Sequence, residues 1–160
     1  MPARDAPGAG TGALTVGRVP VADTYPLRRA VLRPGRPLSS VHLAADADPA
    51  TAAIAARTAD GGADHLAVVM REPCPWMPDR PGAWRLRGMA TAEGRRGAGV
   101  GARVLQAAVD YVVAARGSLV WCNARVPARR FYERAGFAAH GEEWVDPDIG
   151  PHIAMWRPLP

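Results

Sequence analysis

Hydrophobic positions form a strand–helix–strand pattern in the second half of the chain. Apolar residues recur every three or four positions over residues 100–116, a spacing that predicts an amphipathic helix. A segment of strand length in which large and small residues alternate stands before it at residues 84–91, and an apolar run stands after it at residues 119–123. Gly117 follows the last helical position and is predicted to end the helix. The pattern is typical of a helix that packs on one face of a sheet.

Shorter apolar segments, separated by proline and glycine, predict the remaining elements. Helices are predicted at residues 24–33 and 128–135, and strands at residues 52–58, 65–70, 137–144 and 152–156. Turns are predicted at residues 60–62 and 147–151, and the proline-rich residues 73–81 predict a loop. Residues 1–20, rich in Pro, Gly and Ala, are expected to form a flexible leader before a single domain at residues 21–160.

Cysteine content and apolar run length limit the class of protein. No apolar run approaches the roughly 18 residues that cross a bilayer, and no secretory signal is visible. Cys74 and Cys122 are too few for a disulfide framework or a zinc site. We therefore expect a protein of the reducing cytoplasm, with no metal and no membrane partner.

The net charge of +5 comes from arginine alone, because the chain contains no lysine. No basic run is interleaved with aromatic residues, which argues against nucleic acid as a partner. A phosphorylated, acidic ligand would explain at least part of the positive charge equally well.

A glycine-rich segment, Arg-Arg-Gly-Ala-Gly-Val-Gly-Ala at residues 95–102, joins the first predicted strand of this pattern to the long helix. Glycines let the backbone turn tightly and approach a ligand closely. The first N–H groups of the helix have no partners within it, and the helix dipole adds positive charge there. With two arginines beside them, these donors predict a site for the pyrophosphate of a cofactor.

Two interpretations of this segment remain open on spacing alone. Gly97-x-Gly99-x-x-Ala102 fits a dinucleotide fingerprint, with Arg125 placed to meet a 2′-phosphate. However, the motif begins at residue 97, which leaves too few elements downstream for that fold. A Walker loop is excluded because no Lys-Ser/Thr pair follows the glycines.

The other interpretation rests on Arg96-x-x-Gly99-x-Gly101 together with a second segment, which runs from Asn123 through Phe131-Tyr132 to Gly136-Phe137. In this order the two segments resemble the GCN5-related N-acetyltransferase superfamily, with the good match over residues 84–157. The resemblance implies an α/β (α+β type) fold, a mixed, mostly antiparallel sheet of six or seven strands with helices on both faces.

The resemblance also implies a cosubstrate, acetyl-CoA, whose acetyl group an amine attacks directly in a ternary complex. It places the pyrophosphate on the backbone of seven residues, Arg96, Gly97, Ala98, Gly99, Val100, Gly101 and Ala102. Main-chain groups of Met89, Ala90 and Thr91 would pair with pantetheine like an added strand. An amide near Met89 would polarise the thioester carbonyl, and Asn123 would contact the cofactor arm where the fourth and fifth strands diverge.

For catalysis, Tyr132 matches the tyrosine that protonates the leaving thiolate in many family members. The alternative role for Tyr132 is structural, as a half-buried helix residue that packs on the sheet. Attack needs a neutral amine, and Glu143 is the first candidate for the base, with His152 and Asp146 behind it. A solvated strand residue is the alternative for Glu143. Cys122 is expected to be a small buried hydrophobe, because direct transfer needs no enzyme thiol.

The acceptor, a small-molecule or peptide amine, is left unidentified by the sequence, and a homodimer is an open alternative to a monomer. His42 and Asp46 lie where the family often lines its acceptor pocket. Trp76 is a candidate for the pocket wall, a dimer contact or a cap on the sheet. A non-catalytic acyl-CoA-binding module and a small NADP-binding domain are the alternative functions.

Overall fold

The computed structural model describes residues 14–57, 62–95 and 97–160. Its strands are β1 Thr15–Val19, β2 Ala52–Arg57, β3 Ala63–Arg71, β4 Ala83–Thr91, β5 Leu119–Arg125, β6 Ala138–Asp146 and β7 Gly150–Pro158. Its α-helices are α1 Tyr25–Leu32, α2 Val100–Ala114 and α3 Arg129–Arg134. Short 3₁₀ turns lie at Val21–Thr24, Leu38–Val41, Ala44–Ala47 and Val126–Ala128. No described helix is long and apolar enough to cross a membrane.

The strands form one seven-stranded sheet in the order β1-β2-β3-β4-β5-β7-β6. Every neighbouring pair is antiparallel except β4 and β5, which are parallel. That pair runs only from Ala83–Leu119 to Arg85–Trp121, so the two strands part beyond it. The predicted mixed, mostly antiparallel sheet is confirmed, and the NADP-binding interpretation is wrong because that fold needs a parallel sheet.

Helices cover both faces of the sheet, as predicted. On one face α2 buries Val104, Leu105 and Val112 in the main core. On the other face α1 packs its partly buried apolar residues, such as Leu27 and Val31, on a second cluster. Both helices have the apolar stripe that such packing requires. The parted ends of β4 and β5 therefore lie between two helical layers.

The end of α2 differs from the prediction at Gly117. Arg116, not the glycine, takes the left-handed conformation, with φ 60°. The N–H groups of Arg116 and Gly117 donate to the carbonyls of Val113 and Val112, at 2.9 Å each, which is a Schellman cap. A Cβ on Gly117 would overlap Val112 and lie 2.8 Å from Cδ1 of Trp84. Glycine is needed there for close approach between helix and sheet.

The predicted leader is also wrong in part, because Thr15–Val19 forms edge strand β1 and pairs with β2. Residues 1–13, and residues 60–61 of the predicted turn, lie outside the described residues.

Trp76 of the proline-rich loop covers the sheet: its ring stacks on His140, with centroids 4.4 Å apart, and meets Trp121 edge-on at 5.9 Å. Of the three roles considered for Trp76, these contacts favour the sheet cap.

Candidate active site

A cavity of about 790 Å³ opens where β4 and β5 part. Its lining comes from α1, β4, the start of α2, β5, α3 and the β6–β7 hairpin. The predicted site residues that line it are Met89, Ala90, Thr91, Gly101, Asn123 and Tyr132. The structure thus brings two segments that the sequence separates, the end of β4 and the β5–α3 region, to a single cleft.

A bulge interrupts β4 beside this cavity. Leu66 of β3 pairs with Ala90, whereas Val68 pairs with Arg87, so Gly88 and Met89 together oppose one residue of β3. Gly88 has φ +61°, a backbone conformation that residues other than glycine rarely adopt. Such a bulge leaves one residue unpaired in the ladder and bends the strand. Main-chain groups at Gly88–Met89 are therefore available to a ligand in the cleft.

The glycine-rich loop reaches α2 through left-handed glycines. Gly97 has φ +92° and Gly99, the N-cap residue, has φ +75°. Gly99 has no side chain to cap the helix, so the first N–H groups of α2 keep their capacity to bind an anion. A Cβ on Gly101 would lie 3.5 Å from Phe131 and 3.8 Å from the terminal carbon of Met89. A larger residue at Gly101 would therefore intrude on the cleft.

Only Gly101 of the predicted pyrophosphate segment lines the described cavity. Three neighbours, Gly97, Ala98 and Gly99, are exposed. Two others lie within α2, where Val100 is buried in the core and Ala102 is exposed. Arg96 lies outside the described residues.

Strand β3 anchors the entry to this loop, a feature that the sequence analysis missed. The Ala92 amide donates to the Asp64 carbonyl at 2.6 Å, and the Asp64 carboxylate lies 3.4 Å from Nε of Arg95. His65 is buried and its ring hydrogen-bonds to the backbone of Arg95, while its Nδ1 has no partner. Burial lowers the pKa of His65, which favours the neutral ring. The one signal in the sequence for the contact of His65 with the loop entry is its position at the start of a predicted strand.

Tyr132 lines the cleft and is 6% exposed. The rings of Phe131 and Phe137 pack against it edge-on at 5.2 and 5.6 Å. Burial raises the pKa of Tyr132 above its ordinary value, so the phenol is protonated at neutral pH. Cys122, also at the cavity, has its pKa raised to about 12 by burial, which keeps it a neutral thiol. That protonation state fits the expected hydrophobic role of Cys122.

The structure does not bring Glu143 to the cleft. Glu143 is exposed, in the irregular stretch of β6 between His140 and Trp144, and does not line the cavity. This placement matches its alternative as a solvated strand residue. The two candidates ranked behind it, His152 and Asp146, both line the cavity.

His152 lies at the cavity with a fixed ring orientation. Its Nδ1 lies 2.8 Å from the carbonyl oxygen of Gly150, and its ring stacks on Trp144 with centroids 5.6 Å apart. Because a carbonyl oxygen can only accept, Nδ1 carries a proton, and Nε2 of the neutral ring keeps a lone pair. Asp146 instead uses Oδ1 to accept the amides of Asp148 and Ile149, at 2.9 and 3.1 Å.

His42 and Asp46, the residues expected near an acceptor, do not line the cavity themselves. Oδ2 of Asp46 accepts hydrogen bonds from the Tyr25 hydroxyl at 3.1 Å and from Arg28 Nη1 at 3.3 Å. His42 packs on Tyr25, with ring centroids 4.2 Å apart. Asp46 thus holds Arg28, which does line the cavity, and His42 packs on the tyrosine ring that the Arg28 guanidinium overlies.

Comparison with known proteins agrees with this geometry. A family model described as the acetyltransferase (GNAT) family matches residues 38–137. The uncharacterised N-acetyltransferase YitI of Bacillus subtilis (strain 168) is 31% identical over 146 residues, which is 91% of this chain and 97% of that protein. The likeness therefore reaches further toward the N-terminus than residues 84–157, where the motifs carry the resemblance.

Solved structures share the fold. ElaA of Escherichia coli has a TM-score of 0.74 at 18% identity, covering 91% of this chain and 99% of ElaA. An acyl-CoA N-acyltransferase from Pseudomonas aeruginosa has a TM-score of 0.70 at 18% identity, covering 91% and 99%. At this identity the likeness concerns the arrangement of helices and strands alone.

Proposed function

Because the chain belongs to the acetyltransferase (GNAT) family, we propose that it transfers an acetyl group from acetyl-CoA directly to an amine. The observation that carries this proposal is the cleft between β4 and β5. It combines a bulged strand at Gly88–Met89 with a buried phenol at Tyr132, and the uncapped start of α2 adjoins it at Gly101. These features offer main-chain pairing, anion binding and a proton donor in one place.

Acetyl-CoA would lie along the end of β4. Its pantetheine arm would pair with the main chain of Met89, Ala90 and Thr91, beside Asn123 on the parting strand. Its pyrophosphate would meet the backbone of residues 96–102 at the start of α2. A cytoplasmic setting fits the two free, buried cysteines.

The transfer step needs an acid, a base and a donor for the oxyanion. The amine nitrogen attacks the thioester carbonyl carbon, and the oxygen takes the negative charge while an amide near Met89 donates to it. Nε2 of His152 accepts the proton that the amine loses. As the carbon–sulfur bond breaks, the Tyr132 hydroxyl gives its proton to the leaving thiolate, which yields the amide and coenzyme A.

Calorimetric titration with acetyl-CoA, followed by thiol release in the presence of amines, tests this proposal. We expect saturable binding and amine-dependent release of coenzyme A. The chain has no lysine, so acetylation of its own lysine side chains cannot mimic turnover. Binding without turnover of any amine would instead identify a non-catalytic acyl-CoA-binding module. Absence of binding would overturn the proposal.

A further inference from the structure

Arginines dominate the charged lining of the described cavity. Among the described residues, its charged lining consists of five arginines and one carboxylate, which in chain order are Arg28, Arg33, Arg85, Arg87, Arg125 and Asp146. Arg85 has an acidic partner, because its Nη1 lies 3.1 Å from Glu72. Arg87 has no hydrogen bond or ion pair within the described part of the chain. Such a lining attracts a negatively charged ligand.

The Arg28 guanidinium is buried and held in place beside this cavity. Its side chain is 2% exposed, and Nη1 donates to the Val41 carbonyl at 3.0 Å and to Asp46 at 3.3 Å. Its Nε and Nη2 atoms are buried with no partner. A buried guanidinium with unused donors is costly unless a ligand completes its hydrogen bonds. Because Arg28 lines the cavity, a ligand held there can do so.

The β4 bulge brings these donors next to the reaction centre. A Cβ placed on Gly88 would lie 3.2 Å from Arg28 Nε, so only glycine leaves room for this approach. Arg87 precedes Gly88 in the same strand, and the two guanidinium groups are close enough to repel one another electrostatically. Burial lowers the pKa of Arg87, which is the signature of a charged group partly removed from water.

These arginines lie on the face of the sheet away from the pyrophosphate loop. Arg28 belongs to α1, which packs on one face, whereas α2 and its glycine loop pack on the other. Arg85 stacks over Trp121, which belongs to a third cluster and not to the α2 core. The phosphates of a cofactor at the start of α2 would therefore not neutralise Arg28 and Arg87.

We propose that the acceptor amine carries an anionic group, a carboxylate or a phosphate, which binds Arg28 and Arg87 beside the β4 bulge. This proposal rests on the acetyltransferase function proposed above. An arginine binds either anion through two parallel N–H donors, which also orients the molecule. With the anion held near Gly88, the amine of the same small molecule would face the thioester at Met89.

Matched acceptor pairs test the proposal. In each pair, propylamine with β-alanine and ethanolamine with phosphoethanolamine, one member bears an anion. We expect kcat/KM at least ten-fold higher for one or both anionic members, and the preferred pair distinguishes a carboxylate from a phosphate. In Arg87→Gln this preference should collapse towards one. The members of a pair differ in amine basicity, but this difference is the same for variant and wild type. A change in the preference between the two proteins therefore does not come from basicity. A preference for the neutral members, or equal turnover within both pairs, would overturn the proposal.

The control variant is Arg36→Gln, which removes the same charge from an exposed position that does not line the cavity. It should keep the anion preference of the wild type. An equal loss in both variants would show an effect of net charge and refute a specific site.

Two further measurements separate this proposal from the proposed function. Calorimetry with acetyl-CoA tests the function on its own. If no amine of the panel is acetylated, titration with inorganic phosphate, followed by the amide NMR signals of Gly88 and Met89, tests the anion site directly. Shifts there that Arg87→Gln abolishes would support the anion site, and their absence would overturn it.

Discussion

The proposed cofactor side and the proposed acceptor side of the cleft are built in different ways. The proposed cofactor side consists of the glycine loop, the start of α2 and the β5–α3 segment, where left-handed glycines shape the loop and β3 anchors only its entry. The acceptor side joins α1, residues 41–46 and β4, and Arg28 alone contacts groups 13 and 18 residues away. Backbone donors serve the first and long side chains the second. The cofactor side can therefore follow a short motif, whereas the acceptor side depends on packing.

Tyr132→Phe should have the largest effect, because it removes the proposed acid, on which the transfer itself depends. We expect kcat to fall by about 100- to 10,000-fold, the usual contribution of a general acid. The described structure shows no hydrogen bond from this hydroxyl, so stability should change little. Steady-state kinetics and thermal melting check this. Unchanged kcat would leave Tyr132 as a packing residue.

His152→Gln should lower kcat by about 100-fold, since it removes the proposed base. The glutamine can keep a hydrogen bond to Gly150 but cannot accept a proton at neutral pH. The rate should regain part of its loss as pH rises and the amine deprotonates on its own. Glu143→Gln is the matched comparison, and a greater loss in that variant would identify Glu143 as the base.

Gly101→Leu should act on the cofactor side alone. The side chain would extend from a Cβ already 3.5 Å from Phe131 into the cleft, so we expect the Kd for acetyl-CoA to rise at least ten-fold. Gly101→Ala, whose single methyl fits at ordinary contact distance, is the control and should bind nearly normally. Calorimetry measures both. If the leucine variant and wild type bind acetyl-CoA with equal affinity, the cofactor does not bind at the start of α2.

His65 gives the smallest effect, a change of stability with pH. Burial lowers its folded-state pKa below the ordinary value of 6.5, so the unfolded chain binds a proton at higher pH than the folded chain does. Its contribution is therefore complete above pH 6.5 and is lost as pH falls through the lower folded-state pKa. The slope is at most about 1.4 kcal/mol per pH unit for one proton.

Urea unfolding between pH 7.5 and 5.5 measures this slope. His65→Gln should flatten it, whereas Val68→Ala, a destabilising change in the same strand with no titratable group, should lower stability equally at both values. A slope that survives in His65→Gln would assign the pH dependence to other groups.

Local chemistry explains why the sequence analysis succeeded where it did. Residues 84–91 and 119–123 were predicted as strands and residues 100–116 as a helix, and each lies within one or two residues of the observed element. Their periodicity reflects burial against one face. The misplaced helix end at Arg116 has a different cause, because contact of Gly117 with Trp84 depends on a strand that comes 33 residues earlier.

By itself, the sequence determined the order of helices and strands, the glycine loop at the start of α2 and the likeness to one family. These properties depend on the spacing of apolar residues and on backbone conformations that only glycine adopts readily. Tertiary structure alone decided that β1 joins the sheet edge, that His152 and not Glu143 reaches the cleft, and that Arg28 lies against Gly88. Those placements depend on strand register and on contacts between distant segments, which no local pattern encodes.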